Sequence, residues 1–89
     1  MNKLIFIKFY NTHDILDFTE ICCKYEECEF NVYNGVNSSM YVDCKNFKDV
    51  VYIETNKTIK IEVVCVNDVA LSLFILDIEN RFKEAVVVW

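Results

Sequence analysis

The chain of 89 residues contains no proline, one glycine, one histidine, one arginine and one tryptophan. The absence of proline fits a compact unit without hinges or linkers, and a lone Gly35 leaves no glycine-rich loop to cradle a phosphate. One histidine cannot build a multi-histidine metal site, and the five cysteines (Cys22, Cys23, Cys28, Cys44, Cys65) form no Cys-x-x-Cys pair. The longest apolar stretches, residues 59–66 and 69–76, are shorter than a bilayer needs and are interrupted by Lys60, Glu62 and Ser72. The N-terminus lacks the charged, apolar and small-residue order of a signal peptide, so a cytoplasmic location is the expectation. In that reducing setting the cysteines are expected as small core-filling thiols, with no metal and no cofactor. With no nucleophile triad either, independent catalysis is not expected.

What is present describes one acidic domain. Apolar residues make up 54% of the chain, charged residues 26%, and the formal charge is −5. That is enough for one two-layer core but too little for a deep cleft, so function should sit on a surface. The negative balance makes nucleic acid phosphates a poor partner.

Periodicity gives the order of elements. Residues 4–9 read as a strand, and Asn11 or Thr12 can cap a following helix whose dipole Asp14 complements. Ile15, Phe18, Ile21, Cys22 and Tyr25 recur at spacings of three and four and form its inner stripe, with Asp17 and Glu20 facing away. Cys22 and Cys23 lie about 100° apart, so at most one of them belongs to the core. Residues 29–33 and 40–44 read as a hairpin turning at Asn34-Gly35, and Phe47, Val50 and Val51 suit a short helix over 45–53. Residues 58–66 alternate cleanly, with Ile59, Ile61, Val63 and Cys65 on one face and Lys60, Glu62 and Val64 on the other.

Asn67-Asp68 caps a last helix from 69 to about 83. Its inward residues are Ala70, Leu71, Phe74, Ile75, Ile78 and Phe82, while Leu73 and Leu76 broaden the apolar stripe beyond what one sheet face covers. The apolar tail of Val86, Val87, Val88 and Trp89 must tuck back or meet a partner. Ser38, Ser39 and residues 55–58 read as turns, and Glu26, Glu27 and Glu29 as a solvated edge. The plan is α+β: a four-stranded antiparallel sheet covered on one face by two longer helices and one short helix.

Lys24-Tyr25 at the end of the first helix, Val32-Tyr33-Asn34-Gly35, the stretch from Val42 to Ile53, and the asparagine-aspartate start of the last helix carry a resemblance. In these strings and in the order of elements, over essentially its whole length, the chain resembles HPr, the histidine-containing phosphocarrier family of the bacterial sugar phosphotransferase system. The resemblance implies an open-faced β-α-β-β-α-β-α sandwich over residues 1–89. It also implies a phosphoryl group taken from enzyme I on a histidine at the start of the first helix.

The family's diagnostic string of glycine, hydrophobic residue, histidine, alanine, arginine and proline is absent. Without gaps, Asn11 falls at the family's phosphorylated histidine, His13 at its arginine and Asp14 at its proline. A gap inside the helix would make His13 the acceptor but would rotate the apolar stripe by about 200°. Thr12 and His13 are then the candidate anion site. A dianionic phosphoryl group at a helix N-terminus needs free amides and a nearby cation. Here the neighbours are Asp14 and Asp17, and the only arginine is Arg81. Asn46 replaces the serine that a kinase modifies in part of the family, and Lys48, Asp49 and Tyr52 replace the glycines and methionines of its docking patch.

The leading expectation is therefore a divergent HPr-like module without phosphocarrier activity, working through protein contact, with phosphotransferase components among its candidate partners. The alternatives are an active phosphocarrier on His13, and a ferredoxin-like regulatory domain that pairs edge to edge. A second copy docking through the last helix and Val86, Val87, Val88 and Trp89 is a further expectation.

Overall fold

The computed structural model describes residues 2–33, 41–43 and 53–88. In chain order the elements are β1 (Asn2–Lys8), α1 (Thr12–Cys23), β2 (Cys28–Tyr33), β3 (Tyr41–Asp43), β4 (Thr58–Cys65), α2 (Asp68–Arg81) and β5 (Val86–Val88). The architecture is α+β, with one antiparallel sheet and both helices on the same face. The strand order is β3-β2-β4-β1-β5, so β4, the most regular alternation in the sequence, is the middle strand.

Register follows the apolar pattern. Ile5 stands opposite Ile61 and Ile7 opposite Ile59, while Phe30 stands opposite Val63 and Val32 opposite Ile61. All seven lie on the covered face and are buried, and a one-residue slip would turn every one of them to solvent. Above them α1 lays down Ile15, Phe18, Ile21 and Cys22, and α2 lays down Ala70, Leu71, Phe74, Ile75 and Ile78. Phe18 and Phe74 link the two layers. Their rings are 6.4 Å apart edge to face, Phe9 lies 5.3 Å from Phe18, and Phe30 lies 4.5 Å from Phe74. Such pairs contribute about 0.5–1.5 kcal/mol each beyond their burial.

The helix starts agree with their sequence signals. Asn11 and Asn67 both hold extended backbone, and each side-chain oxygen accepts a free helical amide, from Asp14 at 2.9 Å and from Ala70 at 2.8 Å. Thr19, a buried polar residue inside α1, donates to the Ile15 carbonyl at 3.0 Å. At Asn56 the backbone turns left-handed, with φ 62°, which asparagine tolerates well. Its amide donates to the Phe9 carbonyl at 2.6 Å and ties the approach to β4 to the end of β1.

Several expectations need correction. The sheet has five strands, because the apolar tail turns back: Val86, Val87 and Val88 pair with Phe6, Ile5 and Leu4 and extend the sheet beyond β1. Period-two alternation cannot announce a strand of three identical valines. The short helix over 45–53 lies outside the described residues except for Ile53, which is buried and not helical. Asp17 does not face away from the protein; it lies along the side of α1 that meets α2.

The cysteines also differ from expectation. Cys28 and Cys65 stand directly opposite each other in the β2–β4 register, with Cα atoms 4.0 Å apart, and are joined in a disulfide across 37 positions of sequence. An antiparallel pairing of this kind is invisible until the register is known, which is why the pair did not read as a bridge. Disulfides persist in oxidising surroundings, so this bond departs from the reducing environment expected of the chain. Cys22 is buried and Cys23 exposed, as their angular separation on α1 requires; Cys44 lies outside the described residues. Among the described residues no helix is long and apolar enough to cross a membrane.

Candidate functional site

The N-terminus of α1 meets the C-terminus of α2 because the two helices lie side by side on the sheet in opposite directions. At their junction a single cation serves several carboxylates. Arg81, in the last turn of α2, donates from Nε and Nη2 to Asp17 Oδ2 at 2.9 and 2.6 Å, and from Nη2 to Asp14 Oδ1 at 3.1 Å. Its guanidinium rests 4.7 Å from the centre of the Phe82 ring, which holds the planar group in place. Arg81 is the one arginine of the sequence, and it reaches residues 64 and 67 positions away. Distance along the chain hid it; its place in the last turn of a helix was the available signal.

Asp14 is bound from both sides. Its other oxygen, Oδ2, accepts the Tyr10 amide at 3.1 Å while its own amide donates to Asn11. This reciprocal arrangement, a variant of the capping box, occupies the helix start. The Tyr10 amide and then the Arg81 guanidinium hold the Asp14 carboxyl below its ordinary value, and the same carboxylates keep Arg81 above its own. The Tyr10 hydroxyl donates to Glu84 in the turn after α2, which raises the phenol. Further along the helix pair the Tyr25 hydroxyl donates to Asp77, and burial followed by that carboxylate pushes Tyr25 up to about 12.

His13 stands at the second position of α1 with its side chain 79% exposed, and its Nδ1 lies 3.5 Å from Asp17 Oδ2. It is therefore accessible, but the oxygen it faces is already taken by Arg81. Thr12 is exposed at the first helical position, and Asn11 holds the cap. The structure thus brings together Asn11, Thr12, His13, Asp14 and Asp17, as the sequence placed them, and adds Tyr10, Arg81 and Glu84. Asn46 lies outside the described residues.

Charge decides what this arrangement can do. Asp14 and Asp17 hold the one guanidinium, and Glu84, Lys8 and Lys83 flank it around the adjoining cavity, so an arriving dianion must compete with carboxylates already in place. Two like unit charges about 6 Å apart repel by roughly 3 kcal/mol at an effective dielectric of about 20, and by less where solvent screens them. The carboxylates occupy Nε and Nη2 of the guanidinium, and the cap amide cannot form a phosphoramidate of the imidazole kind. Beside the junction a cavity of about 150 Å³ is lined by Ile7, Tyr10, Arg81, Phe82 and Ala85 among others. That volume is small for a metabolite. Among the described residues no group of histidine, cysteine and carboxylate side chains is arranged to hold a metal ion.

The expected docking elements are also located. Val69, Leu73 and Leu76 lie along the solvent side of α2, exposed by 69%, 52% and 55%. The tail, by contrast, is used within the sheet as β5; Trp89 lies outside the described residues. No family model, no curated protein and no solved structure matches the chain.

Proposed function

We propose that the chain is a divergent HPr-like module that has lost phosphotransfer and acts by contact with a protein partner. The observation that carries this reading is the occupation of the α1 start. Asn11 sits at the cap, where the family places its histidine, and the only nearby guanidinium is bound by Asp14 and Asp17. A phosphocarrier needs the reverse, an imidazole at the cap and a cation left to stabilise the transferred group. The architecture supports the same relationship: an all-antiparallel sheet with both helices on one face and β4 lying between β1 and β2. A ferredoxin-like sheet would insert β3 between β1 and β2, so the order counts against that alternative.

One observation favours a second reading, an active carrier. His13 is exposed in the first turn of α1, and Arg81 approaches the same Asp17 oxygen, so a cation lies close to the imidazole. Incubation with phosphoenolpyruvate and enzyme I, followed by intact mass measurement, separates the two. The proposal expects no acid-labile adduct while an HPr control is labelled in parallel. An adduct that disappears in His13→Ala would overturn it.

A further inference from the structure

On the face of the sheet turned away from the helices, the strand register sets out two central rows, flanked by a row of Glu29, Val64 and Asn2 and by the pair Thr58 and Lys8. Asn31, Glu62, Leu4 and Val88 stand side by side in one row, and Tyr33, Lys60, Phe6 and Val86 in the next. Each central row crosses β2, β4, β1 and β5 in the same order. Read across the strands, one row runs polar, acidic, apolar, apolar, and the other aromatic, basic, apolar, apolar.

We propose that this open face is a self-complementary interface for a second copy of the chain. A two-fold axis lying across the strands, midway between the rows and over Ile61 of the middle strand, exchanges one row for the other. That operation sets Leu4 on Phe6 of the second copy, Val88 on Val86, Asn31 on Tyr33, and Glu62 on Lys60. In β1 and β5 every apolar side chain of the two rows meets an apolar one, and two opposite-charge pairs form by symmetry. The other in-plane axis, along β4, sets Lys60 against Lys60 and Glu62 against Glu62, so charge selects the first.

The chemistry of the face agrees with a partly covered state. Leu4, Phe6 and Val64 are half-buried, while Val86 and Val88 at the β5 edge are 58% and 46% exposed. Lys60 lies 4.6 Å over the Tyr33 ring, which holds its ammonium on this face. Strands of seven, six, three, eight and three residues, about 4.8 Å apart, present roughly 430 Å² per copy. Doubled, that falls somewhat below the bound of about 1,000 Å² for a stable specific interface, so the dimer should be weak and reversible. Sheets packed in this way sit about 10 Å apart with strands crossing near 30°, which tolerates the twist of each sheet. The proposal does not depend on the phosphocarrier reading, since it uses the opposite side of the molecule.

Sedimentation of the whole chain tests it through charge reversal. The wild type should dimerise with a dissociation constant on the order of 10–100 µM. Lys60→Glu and Glu62→Lys should each weaken association by about tenfold or more, because each sets like charges against one another twice. The double variant, Lys60→Glu with Glu62→Lys, restores opposite pairs and should return the dimer to within about threefold of wild type. Both positions face solvent in the single copy, and circular dichroism would confirm that each variant folds. A wild type that remains monomeric to about 1 mM would overturn the proposal, as would single variants that associate like wild type or a double variant that fails to recover. Loss of the dimer on Leu73→Lys with no response to the charge variants would place the contact on α2, and would overturn it equally.

Discussion

The two faces of β4 contrast the part of this molecule that folding explains with the part that folding leaves over. On one face Ile59, Ile61 and Val63 are 0% exposed beneath two helices. On the other, Lys60, Glu62 and Val64 alternate with them along the same backbone. The covered face needs only apolar side chains of suitable volume in register. The open face gains less from packing within the chain: Leu4, Phe6 and Val64 are half-buried and Lys60 lies over the Tyr33 ring, and the proposed second copy accounts for the rest of its order.

The largest expected effect sharpens that contrast. Phe74 is fully buried and touches the rings of Phe18, Tyr25 and Phe30, so Phe74→Ala should cost about 3–5 kcal/mol in urea unfolding. Phe6→Ala, the same deletion on the open face, should cost about 1 kcal/mol in a monomeric sample, because its ring is only half-buried. Equal losses would mean that the open face is packed as a core, and the distinction between the faces would collapse.

Next in size is the bond at the end of the covered face. The Cys28–Cys65 disulfide closes a loop with a sequence separation of 37, and chain entropy assigns a loop of that length roughly 4 kcal/mol. Adding a reductant should lower the unfolding midpoint to match, and Cys28→Ala combined with Cys65→Ala should remove the response. An unfolding curve indifferent to reductant would show that the two thiols are not linked in solution.

The same contrast separates what the sequence reveals from what it conceals. Alternation from Thr58 onward located β4, three-and-four spacing located both inner helix stripes, and Asn11 and Asn67 marked both helix starts, all because these signals are local. The five-stranded sheet was not legible, since Val86, Val87 and Val88 carry no alternation and their partner strand lies some eighty residues earlier. Cys28 with Cys65, and Arg81 with Asp14 and Asp17, are likewise pairings between distant segments. At the α1 start Asn11, Thr12, His13 and Asp14 were legible as a group. The cation that neutralises them was not, because only the antiparallel packing of α2 against α1 brings it there. The self-complementary rows on the open face also require four strands in register before the pattern exists.

The smallest effect concerns the junction of the two helices, which is held by exposed polar contacts where the covered face is held by packing. The Asp14 carboxyl is stabilised as the anion by the Tyr10 amide and by Arg81, so its value in the folded chain lies below the ordinary 3.8. A depressed carboxyl contributes stability that is fully present above the unfolded value and is lost as pH falls through the folded one. Asp14→Asn should therefore be less stable than wild type at pH 7, and the gap should narrow once the pH drops below about 4. Urea unfolding at neutral pH, near pH 4 and near pH 2.5 measures the convergence. Phe74→Ala carries no titrating group at this junction, so its loss should stay nearly constant over the same range. A pH-independent gap for Asp14→Asn would mean that the side chain acts there by shape alone, and that the ionic clasp between α1 and α2 contributes nothing to holding the helix layer on the sheet.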